Sequence, residues 1–150
     1  MRATRINHVS IVANDLDESA RFYEELFGME RIPTAKFPQA VLWLRAGTNQ
    51  VHLFTADETA AMRAHMAFDV DDFDALHAKA KEMGILDSAT FGGPLRRHPA
   101  GWVQLYLRDP AGNLIEVDSP DAALSSETLA EAQEIGEQPG AAAGATLYHQ

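Results

Sequence analysis

The sequence contains no cysteine among its 150 residues. Disulfides, thiolate metal sites and cysteine nucleophiles are therefore excluded. Basic residues are also few, because 12 Lys and Arg stand against 22 Asp and Glu, which gives a formal net charge of -10. A nucleic-acid-binding surface needs clustered basic residues, so a small-molecule partner is the better expectation.

Long hydrophobic runs are absent as well. No apolar run approaches the roughly 20 residues that cross a bilayer. Residues 1–7 are too polar for a secretory signal, so we expect a cytoplasmic protein. The 46% hydrophobic content suits one soluble domain with a buried core.

The chain contains an internal duplication. Residues 8–17 align with residues 65–74, and a similar alignment joins residues 42–53 to residues 105–117 when the second copy has one more residue in its turn. The alignment makes counterparts of two residue pairs, His8 with His65 and His52 with Glu116. We expect each copy to be one supersecondary unit that cannot bury its apolar face alone.

Hydrophobic periodicity predicts the order βαβββ in the first copy, and the second copy repeats it except around residues 85–98, where the pattern is weak. The expected strands cover residues 6–12, 29–34, 40–45 and 50–55 in the first copy, and 65–70, 103–108 and 114–118 in the second. The expected helices begin at Asp15 and Asp71 and stop at Gly28 and Gly84. Residues 85–98, which include Gly92-Gly93-Pro94, are predicted to form a loop. The fold class is therefore α+β, with modules at about 5–56 and 62–120 in a domain of residues 1–120.

The remaining 30 residues, 121–150, form a tail of different composition. A short helix is predicted at residues 125–135, capped by Ser125 or Ser126, and a flexible segment at residues 136–144. Two further histidines lie outside the duplicated strands: His77 is expected to be solvated at the edge of the second helix, and His149 falls in the tail. The acidic residues at 69–74 are interpreted as helix capping.

Strand alternation assigns the ionisable residues to one face of each strand. The neighbours of these residues, such as Val51 and Leu53 beside His52, are apolar and point to the opposite face. We expect the apolar faces to take the helices and the other faces to line a cavity. The residues that would line it are His8, His52, His65 and Glu116. Buried charge is costly unless it is paired or bound to metal, so a divalent metal site is predicted.

The arrangement resembles the vicinal oxygen chelate superfamily of glyoxalases, epimerases, fosfomycin-resistance enzymes and extradiol dioxygenases. The resemblance is carried by residues 7–10, 22–28, 65–72 and 107–116. It implies paired βαβββ modules that form an open, barrel-like sheet around a divalent metal. His8, His65 and Glu116 match the ligand positions. The implied metal is Fe(II), with Mn, Ni or Zn as alternatives, and a homodimer is expected.

The segment from His98 through Tyr106 to Glu116 resembles the signature of extradiol ring-cleaving dioxygenases. That resemblance implies that His98 and Tyr106 contact a catecholic substrate and that His52 is the acid/base. The residues Arg96 and Arg97 depart from the family pattern. The chain is also shorter than the four-module enzymes, and the aromatic at Tyr106 is mirrored by Trp43 in the first copy, where packing alone would explain it.

Other activities use the same residues differently. In a glyoxalase-like lyase or epimerase His52 would be a fourth metal ligand, and the metal would polarise a carbonyl group. A metal-free binding protein of the bleomycin-resistance kind would only sequester its ligand, and intact ligand positions argue against it. A fosfomycin-type thiol transferase would need more cationic residues for its substrate. Pocket shape depends on aromatic residues that the sequence does not place, which are Phe37, Trp43, Phe91 and Trp102.

Overall fold

The computed structural model describes residues 2–136 and 147–148. In the first half of the chain the elements are β1 (His8–Val12), α1 (Leu16–Phe27), β2 (Glu30–Ile32), β3 (Val41–Ala46) and β4 (Asn49–Phe54). In the second half they are β5 (His65–Asp69), α2 (Phe73–Met83), β6 (Leu95–His98), β7 (Trp102–Arg108) and β8 (Leu114–Pro120). A 3-10 turn (Asp121–Ala123), α3 (Ser126–Glu131) and β9 (Gln133–Glu134) follow. The α+β class with two βαβββ modules is confirmed.

The strand order repeats between the modules. The first sheet has the order β1-β4-β3-β2, and the second has β5-β8-β7-β6-β9. The first four strands of the second sheet therefore follow the same order as the whole first sheet. Over the described residues each sheet has two edge strands and does not close on itself.

The two long helices begin and end in the same way. Asp15 and Asp72 cap their N-termini by accepting the backbone N–H groups of Glu18 and Ala75. Gly28 and Gly84 end them in the left-handed conformation, with φ of 61° and 68°. A left-handed residue after a helix is strongly favoured as glycine, so the duplicated sequence produces duplicated helix ends.

Contacts divide the chain into two compact units, one of residues 1–66 with 108–114 and the other of residues 67–107 with 115–150. In the first unit α1 contacts β3 and β4, over a core that includes Tyr23, Leu44 and Leu53. In the second unit the core includes Leu105 and Val117. No helix among the described residues is long and apolar enough to cross a membrane.

The turn between β7 and β8 is fixed in the first unit by a buried network around Asp109. The Tyr23 hydroxyl and the Asn113 side-chain amide donate to Asp109 Oδ2 at 2.8 and 2.7 Å. The backbone N–H groups of Ala111 and Asn113 donate to Oδ1 at 3.0 and 2.7 Å. The same Asn113 amide also donates to the carbonyl of Val12, at 2.7 Å. Side-chain hydrogen bonds thus join this turn to α1 and to the end of β1.

Two sequence-based predictions were wrong in the second unit. The predicted loop at residues 85–98 contains β6, because Leu95 pairs with Leu105 and is buried. The predicted helix at 125–135 ends at Glu131, because Gln133 and Glu134 pair in parallel with Arg96 and Arg97 of β6. Both differences come from pairing between distant segments, which local periodicity does not report. The Ser125 cap is confirmed, since its hydroxyl accepts from the Thr128 N–H. The predicted flexible segment beyond Gly136 and His149 lie outside the described residues.

Two predictions about exposure also need correction. Val9, on the edge strand β1, was expected to lie under a helix, but it is 36% exposed. His77 was expected to be solvated, but it is only 4% exposed. Its Nε2 lies 3.8 Å from a carboxylate oxygen of Glu131, a residue of α3 that lies near it only in the folded chain.

Candidate active site

Three aromatic rings stand side by side on one face of the first sheet. In the register of β1, β4 and β3, His52 is paired with Ser10 on one side and with Trp43 on the other. The His52 imidazole stacks on His8, with ring centroids 4.2 Å apart, and on Trp43, with centroids 4.4 Å apart. The interplanar angles are 12° and 10°. Both faces of the His52 ring are therefore covered, and its edges are the available parts.

The three rings line a cavity of about 680 Å³ that lies wholly in the first unit. Trp43 also contacts Phe37, with ring centroids 5.9 Å apart. The remaining lining residues are Asn7, Ser10, Gln39, Val41, Gln50 and Phe54. The structure therefore places Phe37 and Trp43, whose positions the sequence left open, beside the predicted His8 and His52.

Each histidine of the stack is oriented by a neighbouring amide. His8 Nδ1 lies 3.0 Å from Asn7 Oδ1, and His52 Nε2 lies 2.8 Å from Gln50 Oε1. With the amide oxygens as acceptors, His8 keeps a lone pair on Nε2 and His52 keeps one on Nδ1. Burial, and secondarily the charge of His8, lower the pKa of His52, so its imidazole is neutral at neutral pH.

His65 begins β5 and is exposed, in a second cavity of the first unit, of about 330 Å³. Its Nδ1 lies 2.8 Å from the backbone carbonyl of Arg63. A carbonyl oxygen only accepts, so Nδ1 carries the proton and Nε2 has the lone pair. His65 therefore contacts its oxygen partner through the same ring nitrogen as His8.

Glu116 lies on β8 in the second unit and is 5% exposed. The Gln104 side-chain amide donates to Glu116 Oε1 at 2.5 Å, and the Tyr106 hydroxyl hydrogen-bonds the same carboxylate. Burial, then the Glu116 charge, raise the pKa of Tyr106, so its hydroxyl keeps its proton. Tyr106 also contacts Phe91, with ring centroids 4.7 Å apart. The structure thus brings the predicted Tyr106 and Glu116 together.

Two polar residues of this cluster, Gln104 and Asp118, were missed by sequence analysis. Burial and the neighbouring Glu116 raise the pKa of Asp118 to about 8, and the two carboxyl groups are hydrogen-bonded. Gln104 and Asp118 each lie two positions from a predicted site residue on the same strand. Strand alternation, which assigned Tyr106 and Glu116 to a face, could have found them.

His98 ends β6, not a loop, and pairs in register with Trp102 of β7. The two rings stack with centroids 4.0 Å apart and an interplanar angle of 5°. His98 Nδ1 accepts the backbone N–H of Ala100 at 3.2 Å. Trp102 and Tyr106 share a face of β7 by alternation, so His98, Tyr106 and Glu116 lie on one face of the second sheet.

The predicted site residues therefore fall into groups. His8 and His52 are in contact in the first unit, His65 lies in that unit by the second cavity, and Glu116, Tyr106 and His98 belong to the second unit. Across residues 2–136 and 147–148, no three His, Asp or Glu side chains are placed to hold a metal ion.

The predicted ligands nevertheless have the chemistry of metal ligands. Metal-binding histidines commonly donate their second ring N–H to an oxygen, and ligating carboxylates are themselves hydrogen-bonded. His8 and His65 have such oxygen partners in Asn7 and Arg63, and Glu116 has Gln104. The donor set of two imidazole nitrogens and one carboxylate fits a first-row divalent ion.

The family model described as Glyoxalase/Bleomycin resistance protein/Dioxygenase superfamily matches residues 5–117. Among curated proteins, Glyoxylase I 4 of Arabidopsis thaliana is 26% identical over 81% of this chain and 74% of its own length. Metallothiol transferase FosB of Lysinibacillus sphaericus is 27% identical over 77% of this chain and 82% of its own. The crystal structure of lactoylglutathione lyase from Agrobacterium tumefaciens has a TM-score of 0.60 and 27% identity, and covers 78% of this chain and 94% of that one.

Proposed function

The chain belongs to the Glyoxalase/Bleomycin resistance protein/Dioxygenase superfamily, and on that premise we propose that it is a metal-dependent enzyme acting on a small molecule. His8, His65 and Glu116 would bind the ion, and His52 would carry a proton to and from the substrate. The proposal assigns different roles to residues that the duplication relates, since His52 and Glu116 are counterparts.

The observation that carries this assignment is the ring nitrogen through which each imidazole contacts an oxygen. His8 and His65 both do so through Nδ1, as metal-binding histidines commonly do with their second ring nitrogen. His52 uses Nε2 instead, and rings cover both of its faces. These contacts support His52 as a group beside the ion and argue against its use as a fourth ligand.

The chemistry follows from a neutral imidazole with one free nitrogen. The bound ion would polarise a carbonyl or hydroxyl oxygen of the substrate, which makes a neighbouring proton more acidic. His52 Nδ1 has the lone pair to accept that proton, and a base that is neutral near pH 7 suits general acid-base catalysis. Gln50 and the two stacked rings hold the imidazole so that its edge faces the cavity.

The reaction we favour is of the glyoxalase type, a proton transfer next to a carbonyl in a lyase or isomerase. Its support is the similarity to Glyoxylase I 4 and to lactoylglutathione lyase. The second candidate is ring cleavage of a catechol by an extradiol-type dioxygenase, with Fe(II) as the metal. Its support is the Tyr106 hydroxyl bonded to Glu116, with His98 on the same face.

Metal content and turnover of matched variants test the proposal. We expect purified protein to contain a divalent metal, His65→Ala to lose it, and His52→Asn to retain it while losing most turnover. Oxygen uptake with catechol would identify ring cleavage, and oxygen-independent formation of lactoylglutathione from glutathione and a 2-oxoaldehyde would identify the lyase. Loss of metal in His52→Asn would show that His52 is a ligand and overturn the assignment. Wild-type protein that binds ligand without any metal would establish the binding-protein alternative.

A homodimer, which the family resemblance implies, stays a prediction. Sedimentation of the purified full chain tests it directly. A single species of the monomer mass, 16.4 kDa, at micromolar concentration would contradict it.

A further inference from the structure

We propose that the cavity beside β1, β3 and β4 binds a flat, uncharged aromatic group, on the edges of the stacked rings of Trp43, His52 and His8 and beside Phe37. This inference rests on the proposed function and narrows its substrate to a molecule that carries such a group.

The orientation of the stacked rings favours such a ligand. Side chains stand roughly perpendicular to a sheet, and neighbouring strands are about 4.7–4.9 Å apart. Centroid separations of 4.2 and 4.4 Å therefore mean that the rings stand side by side with their edges toward the cavity. Ring edges are electropositive and ring faces are electronegative, so a flat ring lying across the edges makes a favourable edge-to-face contact.

The composition of the lining favours an uncharged ligand. The described residues around the cavity include no Lys, Arg, Asp or Glu. Besides the imidazoles of His8 and His52, their polar groups are amides and one hydroxyl, from Asn7, Gln39, Gln50 and Ser10. Such groups hydrogen-bond the substituents of a neutral ligand, but they offer no ion pair to a carboxylate or phosphate. The volume of about 680 Å³ lies in the usual range for small-molecule sites.

Phe37, in the segment before β3, also favours an aromatic ligand. It is 46% exposed although it is a large apolar side chain at the cavity. An aromatic ligand would cover it and remove its apolar surface from water.

The second module contains an internal control for this proposal. His98 and Trp102 also stack, at a similar distance, but Trp102 is only 7% exposed. A ligand that merely favours any His–Trp stack would affect both tryptophans. Ligand binding at the proposed site should affect Trp43 alone.

The test uses nuclear magnetic resonance of the full chain in excess EDTA, with 2-naphthol as probe. The two indole N–H signals are assigned with Trp43→Phe and Trp102→Phe. We expect 2-naphthol to shift the Trp43 signal and leave the Trp102 signal in place. Decahydro-2-naphthol, which has the same skeleton without aromaticity, and 2-naphthoate, which is flat but anionic, should each bind at least about tenfold more weakly.

Substitutions at exposed positions complete the test. Phe37→Ala should weaken 2-naphthol binding about fivefold, while Met83→Ala, at 42% exposure in the second unit, should have no effect. Equal shifts of both indole signals, or equal affinity for either comparison compound, would overturn the proposal. In excess EDTA, 2-naphthol binding does not depend on bound metal or on turnover. A negative binding result therefore leaves the conclusions from the metal-content and His52 experiments unchanged. Failure of those experiments would likewise leave the naphthol result standing.

Discussion

The two modules share strand order and helix ends but hold their ionisable residues differently. In the first module His8 and His52 lie at a cavity and are oriented by Asn7 and Gln50, which are one and two residues away in sequence. In the second module Glu116 is buried and held by Gln104, twelve residues away on the adjacent strand. The same backbone plan therefore supports an open, aromatic site in one copy and a buried polar cluster in the other.

This difference shows what duplication preserves and what it leaves free. Main-chain features such as the Gly28 and Gly84 helix ends persist because each copy needs the same backbone geometry. Side chains on the sheet face are under no such requirement. In the register of the first copy Trp43 stacks on His52, while its counterpart Tyr106 donates to Glu116. A hydrogen-bond donor in place of a stacking ring suits a buried carboxylate.

The largest expected effect concerns the groups that orient the proposed ligands. We predict that Gln104→Leu lowers the affinity for divalent metal about 10- to 100-fold, because Glu116 loses one of its hydrogen-bond donors. Competition with a chromogenic chelator measures the change. The matched Asn7→Leu should weaken binding less, since the His8 side chain is exposed and water can replace the Asn7 oxygen.

If Asn7→Leu lowers the metal affinity more than Gln104→Leu does, then the buried ligand Glu116 does not depend more on its hydrogen-bond partner than the exposed ligand His8 does. Circular dichroism of both variants checks that each is folded. Unchanged affinity in both would contradict the orienting role of these amides.

A smaller effect, on the free energy of unfolding, is expected at the turn between the last two strands of each module. Tyr23→Phe should lower the free energy of unfolding by about 1 to 2 kcal/mol, because it removes a buried donor to the Asp109 carboxylate. Thr48→Ala, in the β3–β4 turn of the first module, should change it by less than about 0.5 kcal/mol. Urea unfolding of both variants measures the difference. Similar losses of unfolding free energy in the two variants would mean that the Asp109 network does not make its turn more important for stability than the β3–β4 turn.

The smallest effect is the pH dependence that His77 contributes in the second module. Burial lowers the pKa of His77 below its usual 6.5, and the charge of Lys81 acts in the same direction. The carboxylates of Glu131 and Asp74 oppose it. The folded state thus favours the neutral ring, so the unfolded chain takes up the proton first as the pH falls. Stability should be lost as the pH falls below about 6.5, down to the pKa of the folded state.

Replacement of His77 by alanine, the residue at the equivalent position Ala20 in α1, tests this expectation. The variant should show a shallower loss of unfolding free energy between about pH 7 and pH 5.5 than the wild type. Because the substitution also removes buried atoms, the comparison is between slopes and not between absolute stabilities. Parallel curves would show that His77 does not titrate differently in the two states.

Local patterns were sufficient to predict most of the fold. The α1 and α2 boundaries follow from Asp15 and Asp72 at one end and the glycines at the other, all of them short-range signals. The burial of Val51 and Leu53 follows from strand alternation around His52. By contrast, β6 and β9 exist because Arg96 and Gln133 are paired in register, over a sequence separation that no local pattern encodes.

The sequence by itself determined the first βαβββ module, the second module apart from β6, and the family, because periodicity, helix caps and duplication are carried by residues close along the chain. Only the tertiary structure decided what those residues contact. It placed Trp43 against His52, buried His77 beside Glu131, and put Asp118 next to Glu116, where burial raises the pKa of Asp118 to about 8. Stacking, desolvation and charge interactions act through space, so they depend on strand register and not on spacing in the sequence.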